Sequence, residues 1–293
     1  MAQLLYYLVL KPLSFLPYGL LYALSDGIYL LLYRVMGYRK GVVRGNLERS
    51  FPEKSLSEIK TIERRFYHHL CDLIVESIKA FSIREKDLLR RCKVQNPEIL
   101  QPYFNQGKSL VIASSHYNSW ELAATASDLQ MPHQPIGIFA PLRQPFFNRK
   151  IKDSREKFGL KMVAIKELGP FAKGYGGPPI AVLFAGDQSP RNVNSAYWTD
   201  FLNQETGVMR GSEVYAKRYD WPVFFGRIHK VKRGYYEFSF ELITDTPLET
   251  AEGEITERHT RMLEADIRQE PAYWLWSHKR WKRKRPVEEM GNG

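Results

Sequence analysis

Between Leu110 and Ala185 the chain repeats one pattern: a short apolar run, a polar turn, then a stretch of helical character. The runs are Leu110-Val-Ile-Ala113, Ile136-Gly-Ile-Phe139, Lys161-Met-Val-Ala-Ile165 and Ile180-Ala-Val-Leu-Phe-Ala185. The intervening helices are predicted from about Trp120 and over Pro145 to Phe158. Short, continuously apolar runs suit strands covered on both faces. Strands alternating with helices predict an α/β fold, a mainly parallel sheet flanked by helices. Upstream, Ser55-Leu-Ser-Glu58 fits a capping box, and apolar residues from Ile59 to Phe81 follow at helical spacing. Downstream, Pro222 to Phe225 and Tyr235 to Ile243 read as late strands around a turn at Lys232-Arg-Gly234. Thr256 to Gln269 reads as a helix. No repeat or linker interrupts the chain.

The first forty residues have a different character. Met1 to Leu10 is uncharged, and Leu13 to Tyr33 is apolar except for Asp26. Pro12, Pro17, Gly19 and Gly27 make this a poor uniform transmembrane helix, and Asp26 would cost a few kcal/mol in lipid unless paired. The tyrosines (Tyr6, Tyr7, Tyr18, Tyr22, Tyr29, Tyr33) suit a water–lipid boundary. Arg34, Arg39, Lys40 and Arg44 follow as a basic cluster. The segment therefore predicts a helical membrane-associating element over 1–45, an anchor or an in-plane hairpin, with the main domain over 46–293. A buried pair of core helices is the alternative. No other segment has the apolar length for a span, which excludes a polytopic protein.

Lys and Arg number 43 against 32 Asp and Glu, a net charge of +11 that favours anionic partners. Cys71 and Cys92 are the only cysteines, too few for a disulfide framework or a cysteine-built zinc site. That usage fits a chain that is intracellular or faces the cytoplasm. The adjacent His68-His69 pair falls on a presumed surface helix, and no second ligand cluster has useful spacing. Neither a metal nor a cofactor is expected. The terminal run His278-Lys-Arg-Trp-Lys-Arg-Lys-Arg285 suits nucleic-acid phosphates or anionic lipid. The apolar amino terminus favours lipid over nucleic acid.

Ligands of such sheets bind at the carboxyl ends of strands. Two predicted strand ends carry unusual polar residues: Ser114-Ser-His116-Tyr-Asn-Ser-Trp-Glu121 and Gly186-Asp187-Gln188-Ser-Pro190-Arg191. On a continuous helix His116 and Glu121 would lie about 140° apart. They can meet if His116 occupies the turn and Glu121 the first turns of the helix. A carboxylate bonded to one imidazole nitrogen fixes the tautomer and leaves the other to accept a proton from a hydroxyl. A histidine that merely caps the helix is the structural alternative. No Gly-x-Ser-x-Gly elbow is present, so the pair suggests direct attack by an external nucleophile.

These blocks together resemble the bacterial lipid A late acyltransferases, the lauroyl and myristoyl transferases, within the glycerolipid acyltransferase-like superfamily. His116-Tyr-Asn-Ser-Trp-Glu121 is similar to the family's His-x4-Glu motif. Ala140-Pro-Leu-Arg143-Gln-Pro145, followed by Arg155 and Gly159, is similar to its Asn-Pro segment with a downstream arginine. Gly186-Asp187-Gln188-Ser-Pro190 is similar to its Asp-containing strand end. Tyr273-Trp-Leu-Trp-Ser-His-Lys-Arg-Trp-Lys282 is similar to its terminal Trp-Leu-x-His-basic signature. The chain departs from the pattern at Gln188, where a second acid is common, at Gln144 in place of Asn, and at Arg210 in a segment usually uncharged.

The resemblance implies an acyltransferase at the cytoplasmic face of the bacterial inner membrane. His116 would deprotonate a lipid hydroxyl, oriented by Glu121, and the acyl group would arrive as a thioester of acyl carrier protein. The acceptor would be a lipid A precursor. An amino-acid lipid or lysophospholipid is the alternative acceptor, and a non-catalytic membrane or nucleic-acid binding protein the alternative class. Arg155 and Asp187, with Arg143 and Arg210 as further candidates, would hold phosphate or support the site.

Overall fold

A computed structural model describes residues 1–286. The end of the predicted main domain, 287–293, lies outside the described residues. A seven-stranded sheet carries the fold: β1 (Cys92–Val94), β2 (Leu110–Ser114), β3 (Gln134–Phe139), β4 (Lys161–Ala164), β5 (Ile180–Ala185), β8 (Val223–Lys232) and β9 (Tyr235–Thr244). Its order is β1-β9-β8-β2-β5-β3-β4, and every pairing is parallel except the β8–β9 hairpin. β6 (Tyr197–Phe201) and β7 (Gln204–Val208) form a separate antiparallel ribbon. The predicted α/β class and the four predicted strands, β2, β3, β4 and β5, are therefore present, with β4 at the sheet edge.

β2 sits between β5 and β8, and its side chains are buried on both faces. Val111 and Ala113 pack with Val182, Phe225, Leu263 and Ile267, under the Glu254–Gln269 helix. Leu110 and Ile112 pack on the other face with Leu122, Ala126, Phe224 and Phe238. This double coverage is why β2 reads as an unbroken apolar run. The Leu56–Ala80 helix starts at the expected capping box: Ser55 Oγ accepts from Glu58 N, and Glu58 Oε2 accepts from Ser55 N at 2.8 Å.

The amino-terminal segment is helical over residues 2–15 and 18–35, and it lies along the Leu56–Ala80 helix. Among the described residues no single helix is long and apolar enough to cross a membrane; the pair Tyr18–Val35 and Lys40–Ser50 together reaches that length but bends by 85°. Three of the six tyrosines depart from the boundary role the sequence suggests: Tyr6, Tyr29 and Tyr33 are buried against the protein, whereas Tyr7, Leu4, Leu8, Phe15, Leu20, Leu30, Leu31, Val35 and Met36 point outward. Tyr22 is half-buried and donates to Glu76 Oε1 at 2.9 Å.

Asp26 also has the partner its position requires. Arg233, in the β8–β9 turn, reaches it at 2.6 Å and spans to Asp72 of the Leu56–Ala80 helix at 2.7 Å. Ser25 Oγ donates to the same Asp72 at 2.8 Å. Three distant parts of the chain thus share one buried carboxylate. Arg233→Met removes the guanidinium donors from Asp72, which is nearly inaccessible to water. We expect a loss of roughly 2 kcal/mol in urea unfolding; a loss below about 0.5 kcal/mol would place this network among inconsequential surface pairs.

Candidate active site

Register places the two polar strand ends side by side. β2 and β5 are parallel neighbours with Ser114 opposite Ala185. His116 and Asp187 each lie two residues further on, so they emerge together at the carboxyl edge of the sheet. His116 Nδ1 stands 2.7 Å from Asp187 Oδ1, and the His116 backbone N–H donates to Oδ2 at 3.0 Å. Trp274 Nε1 donates to the same Oδ2 at 2.9 Å. Asp187 is buried, and its three donors come from two residues far apart in the chain, His116 and Trp274.

The expected meeting of His116 and Glu121 is therefore corrected: the carboxylate on the ring is Asp187. The physical reason is the start of the Trp120–Ser127 helix, which carries Glu121 in its first turn toward the Pro145–Glu156 helix. There Arg155 grips it with both arms, Nε to Oε2 at 2.7 Å and Nη2 to Oε1. Glu121 and Arg155 still line the same cavity as His116.

Several bonds fix the loop that carries His116. Asn118 takes a left-handed conformation, φ 56°, which asparagine tolerates better than most residues. Its amide nitrogen donates to Ile228 O at 2.7 Å, and its backbone N–H donates to Tyr273 O at 3.0 Å. Tyr117 donates to the carbonyls of Asp266 and Glu270. The Trp120 ring meets the His116 ring edge-on with centroids 5.1 Å apart. Gln188, in sequence only a departure from a pattern, stands 3.4 Å from His116 Nε2.

With Asp187 on Nδ1, the proton belongs there and Nε2 is left as the acceptor. Burial pushes the imidazole pKa down, but the adjacent Asp187 carboxylate outweighs it and raises the pKa above the ordinary value. Burial acts against the Asp187 charge as well, yet His116 and the bond from Trp274 hold its carboxyl at about 2. The pair is thus built to become an ion pair when His116 gains a proton.

Behind His116 a cavity of about 150 Å³ runs between the sheet and the Trp120–Ser127 helix. Its walls are apolar: Ala123, Ala124, Leu160, Met162, Leu183 and Phe238 among them. Gly137 of β3 lies in this wall, and a Cβ there would stand 2.8 Å from Met162 Sδ. Among the described residues no group of three or more His, Cys, Asp or Glu side chains could hold a metal ion.

The other two candidate arginines are placed differently. Arg143 is exposed in the loop between β3 and the Pro145–Glu156 helix. Arg210 pairs with Glu252 at 2.7 Å and lies 3.7 Å from Glu213. Neither lines the cavity at His116. The terminal basic run also divides: Lys279 and 282–285 are exposed, but Arg280 is 2% exposed and donates to Thr206 Oγ1 at 2.7 Å. His278 Nε2 accepts from Ser189 N at 3.0 Å, which ties the carboxyl terminus to the loop after Asp187. His69 is likewise buried, contrary to the surface position its helix suggested.

A histidine backed by a buried carboxylate thus opens on a largely apolar slot at the carboxyl edge of the sheet. Residues 1–283 match the family described as bacterial lipid A biosynthesis acyltransferase, and the chain belongs to that family of enzymes. It is 23% identical over 269 residues to the lipid A biosynthesis lauroyltransferase of Escherichia coli (strain K12), covering 91% of this chain and 87% of that one. It is 24% identical over 281 residues to the lipid A biosynthesis acyltransferase of Haemophilus influenzae (strain ATCC 51907 / DSM 11121 / KW20 / Rd), covering 94% and 88%.

On the reading that His116 is a base, which must be neutral to accept a proton, activity should rise with pH through its pKa. The acidic limb of kcat/KM is expected to have its midpoint above about 6.5, the free-histidine value. Asp187→Asn removes the charge that raises it, so the midpoint should move to lower pH as the rate falls. An unmoved midpoint would separate Asp187 from the titrating group.

Proposed function

We propose that this enzyme transfers a fatty acyl group from an acyl carrier protein thioester to a hydroxyl of a lipid A precursor, with His116 as general base. The observation that carries this reading is the His116–Asp187 pair at the mouth of the apolar slot. The hydroxyl oxygen attacks the thioester carbonyl carbon while its proton passes to His116 Nε2. The tetrahedral intermediate collapses, the carbon–sulfur bond breaks, and His116 returns the proton to the departing thiolate. The products are an ester and a free carrier thiol. Asp187 holds the ring and offsets the imidazolium charge. Arg155, fixed by Glu121, places a positive charge at the mouth, where the developing oxyanion needs stabilisation. The acyl chain enters the slot, each buried methylene contributing about 0.8 kcal/mol.

The enzyme acts at the cytoplasmic face of the inner membrane. Support comes from the outward side chains of residues 1–38, which supply most of the large exposed apolar groups among the described residues. Exposed Arg34 follows them, and basic residues near anionic lipid contribute about 1 kcal/mol each. The net charge of +11 suits an acidic carrier protein as well as the bilayer. The names of the two relatives favour lipid A as acceptor over an amino-acid lipid or lysophospholipid.

Mass spectrometry of lipid A and total lipids, from cells lacking this gene and complemented with wild type or His116→Ala, tests the reading. One acyl chain should be missing from lipid A and be restored by wild type alone, with turnover of the variant reduced by about 10² or more. Intact lipid A with another lipid class short of one acyl group would replace the acceptor. No lipid change would overturn the proposal.

A further inference from the structure

The reaction proposed above makes no use of Glu76, a carboxylate in the middle of the Leu56–Ala80 helix and 2% exposed. Three hydroxyls converge on it. Tyr22 donates to Oε1 at 2.9 Å, Ser119 donates to Oε2 at 2.9 Å, and Tyr236 reaches both oxygens at 3.0 and 3.1 Å. These donors come from the amino-terminal segment, the loop between His116 and Glu121, and β9. Burial raises the carboxyl pKa to about 7, against the bonds from Ser119 and Tyr22. Burying an acid in the interior is costly, and a purely apolar contact would join the same elements without that cost.

Ser119 shows what the carboxylate accomplishes. It occupies the N-cap position of the Trp120–Ser127 helix, where a serine oxygen ordinarily accepts from the helix's own first-turn N–H groups. Here it makes no such cap; its hydroxyl turns away from the helix to Glu76. His116 lies three residues before this point and Glu121 two residues after it. The position of one hydroxyl therefore governs both the exit of the strand-end loop and the direction of the helix carrying Glu121.

On the acyl-transfer reading, we infer that Glu76 is a positioning residue, which acts through Ser119 to set His116 and Glu121 and through Tyr22 makes the amino-terminal segment part of the active-site frame. The segment over 1–45 is then a wall of the catalytic unit as well as a lipid-facing surface. A displaced reacting group loses rate steeply with distance, so the effect falls on turnover and not on substrate affinity.

The test compares kcat and KM of the full-length enzyme, with acyl carrier thioester and lipid A precursor in mixed micelles, for Ser119→Ala, Glu76→Gln, their double variant and Tyr236→Phe. Ser119→Ala should lower kcat about tenfold or more while KM for both substrates changes less than about twofold. Glu76→Gln should behave alike, and the double variant should lose no more than the worse single one, because both break one link. Tyr236→Phe removes an equally buried hydroxyl from the same carboxylate but leaves the Ser119 bond, so its kcat should stay within about twofold. Tyr22→Phe also leaves the Ser119 bond but frees the amino-terminal segment, so its kcat should fall below that of Tyr236→Phe; equal values would remove the segment from the active-site frame. Equal losses in Ser119→Ala and Tyr236→Phe, following the fall in thermal stability, would overturn the inference and leave Glu76 a structural tie. So would unchanged turnover in Ser119→Ala. Wild-type enzyme that transfers no acyl group would instead refute the underlying reaction, so the two failures are distinguishable.

Discussion

Asp187 carries a full negative charge with almost no access to water, and three N–H groups keep it there. Two belong to His116 and the third to Trp274, so one carboxylate joins the end of β5, the loop after β2 and the carboxyl-terminal segment. Removing any donor would expose the remainder to the cost of an uncompensated buried charge. The parallel register of β2 and β5 is what brings His116 to it. The covering Trp274 comes from a segment held in turn by Asn46, which donates to the carbonyls of Trp276 and His278. The chemistry of the site is thus inseparable from the closure of the chain's two ends around the sheet.

Much of this arrangement was legible in the amino-acid sequence. The apolar runs marked β2, β3 and β5, because a strand buried on both faces leaves a local signature that does not depend on its neighbours, and the edge strand β4 beside them. His116 and Asp187 stood out as polar residues at strand ends. What local pattern could not supply was strand order. Glu121 is near His116 in sequence, whereas Asp187 becomes its neighbour only because β5 pairs with β2, across a separation of 71 residues. The β6–β7 ribbon, the short β1 and the Gly211–Tyr219 helix escaped notice for a related reason: their apolar content is modest and tertiary contacts specify them. The placement of Trp274 on the Asp187 carboxylate was foreshadowed only as part of a terminal motif. Its indole N–H was the available signal, since a buried tryptophan needs an acceptor.

The amino-terminal segment shows the same division between local and long-range information. Its apolar character was plain, but which face would point outward was not. Tyr6, Tyr29 and Tyr33 turn inward, Tyr22 finds an acceptor on the Leu56–Ala80 helix, and many of the leucines, which need no partner, are left outside. Asp26, costly in isolation, is satisfied by Arg233 from more than 200 residues away. A surface with apolar side chains outward and polar bonds inward can meet lipid without crossing it. Tyr22 and Ser25 tie the segment to Glu76 and Asp72 in the protein interior.

Nitrogen-15 NMR of the histidines in the full-length chain, with His116 assigned by its loss in His116→Ala, tests the central claim most directly. The account expects a titration midpoint above about 6.5 that falls in Asp187→Asn, and, at pH above that midpoint, Nδ1 protonated and Nε2 bare. A proton on Nε2 above the midpoint, or a His116 midpoint indifferent to Asp187, would contradict it.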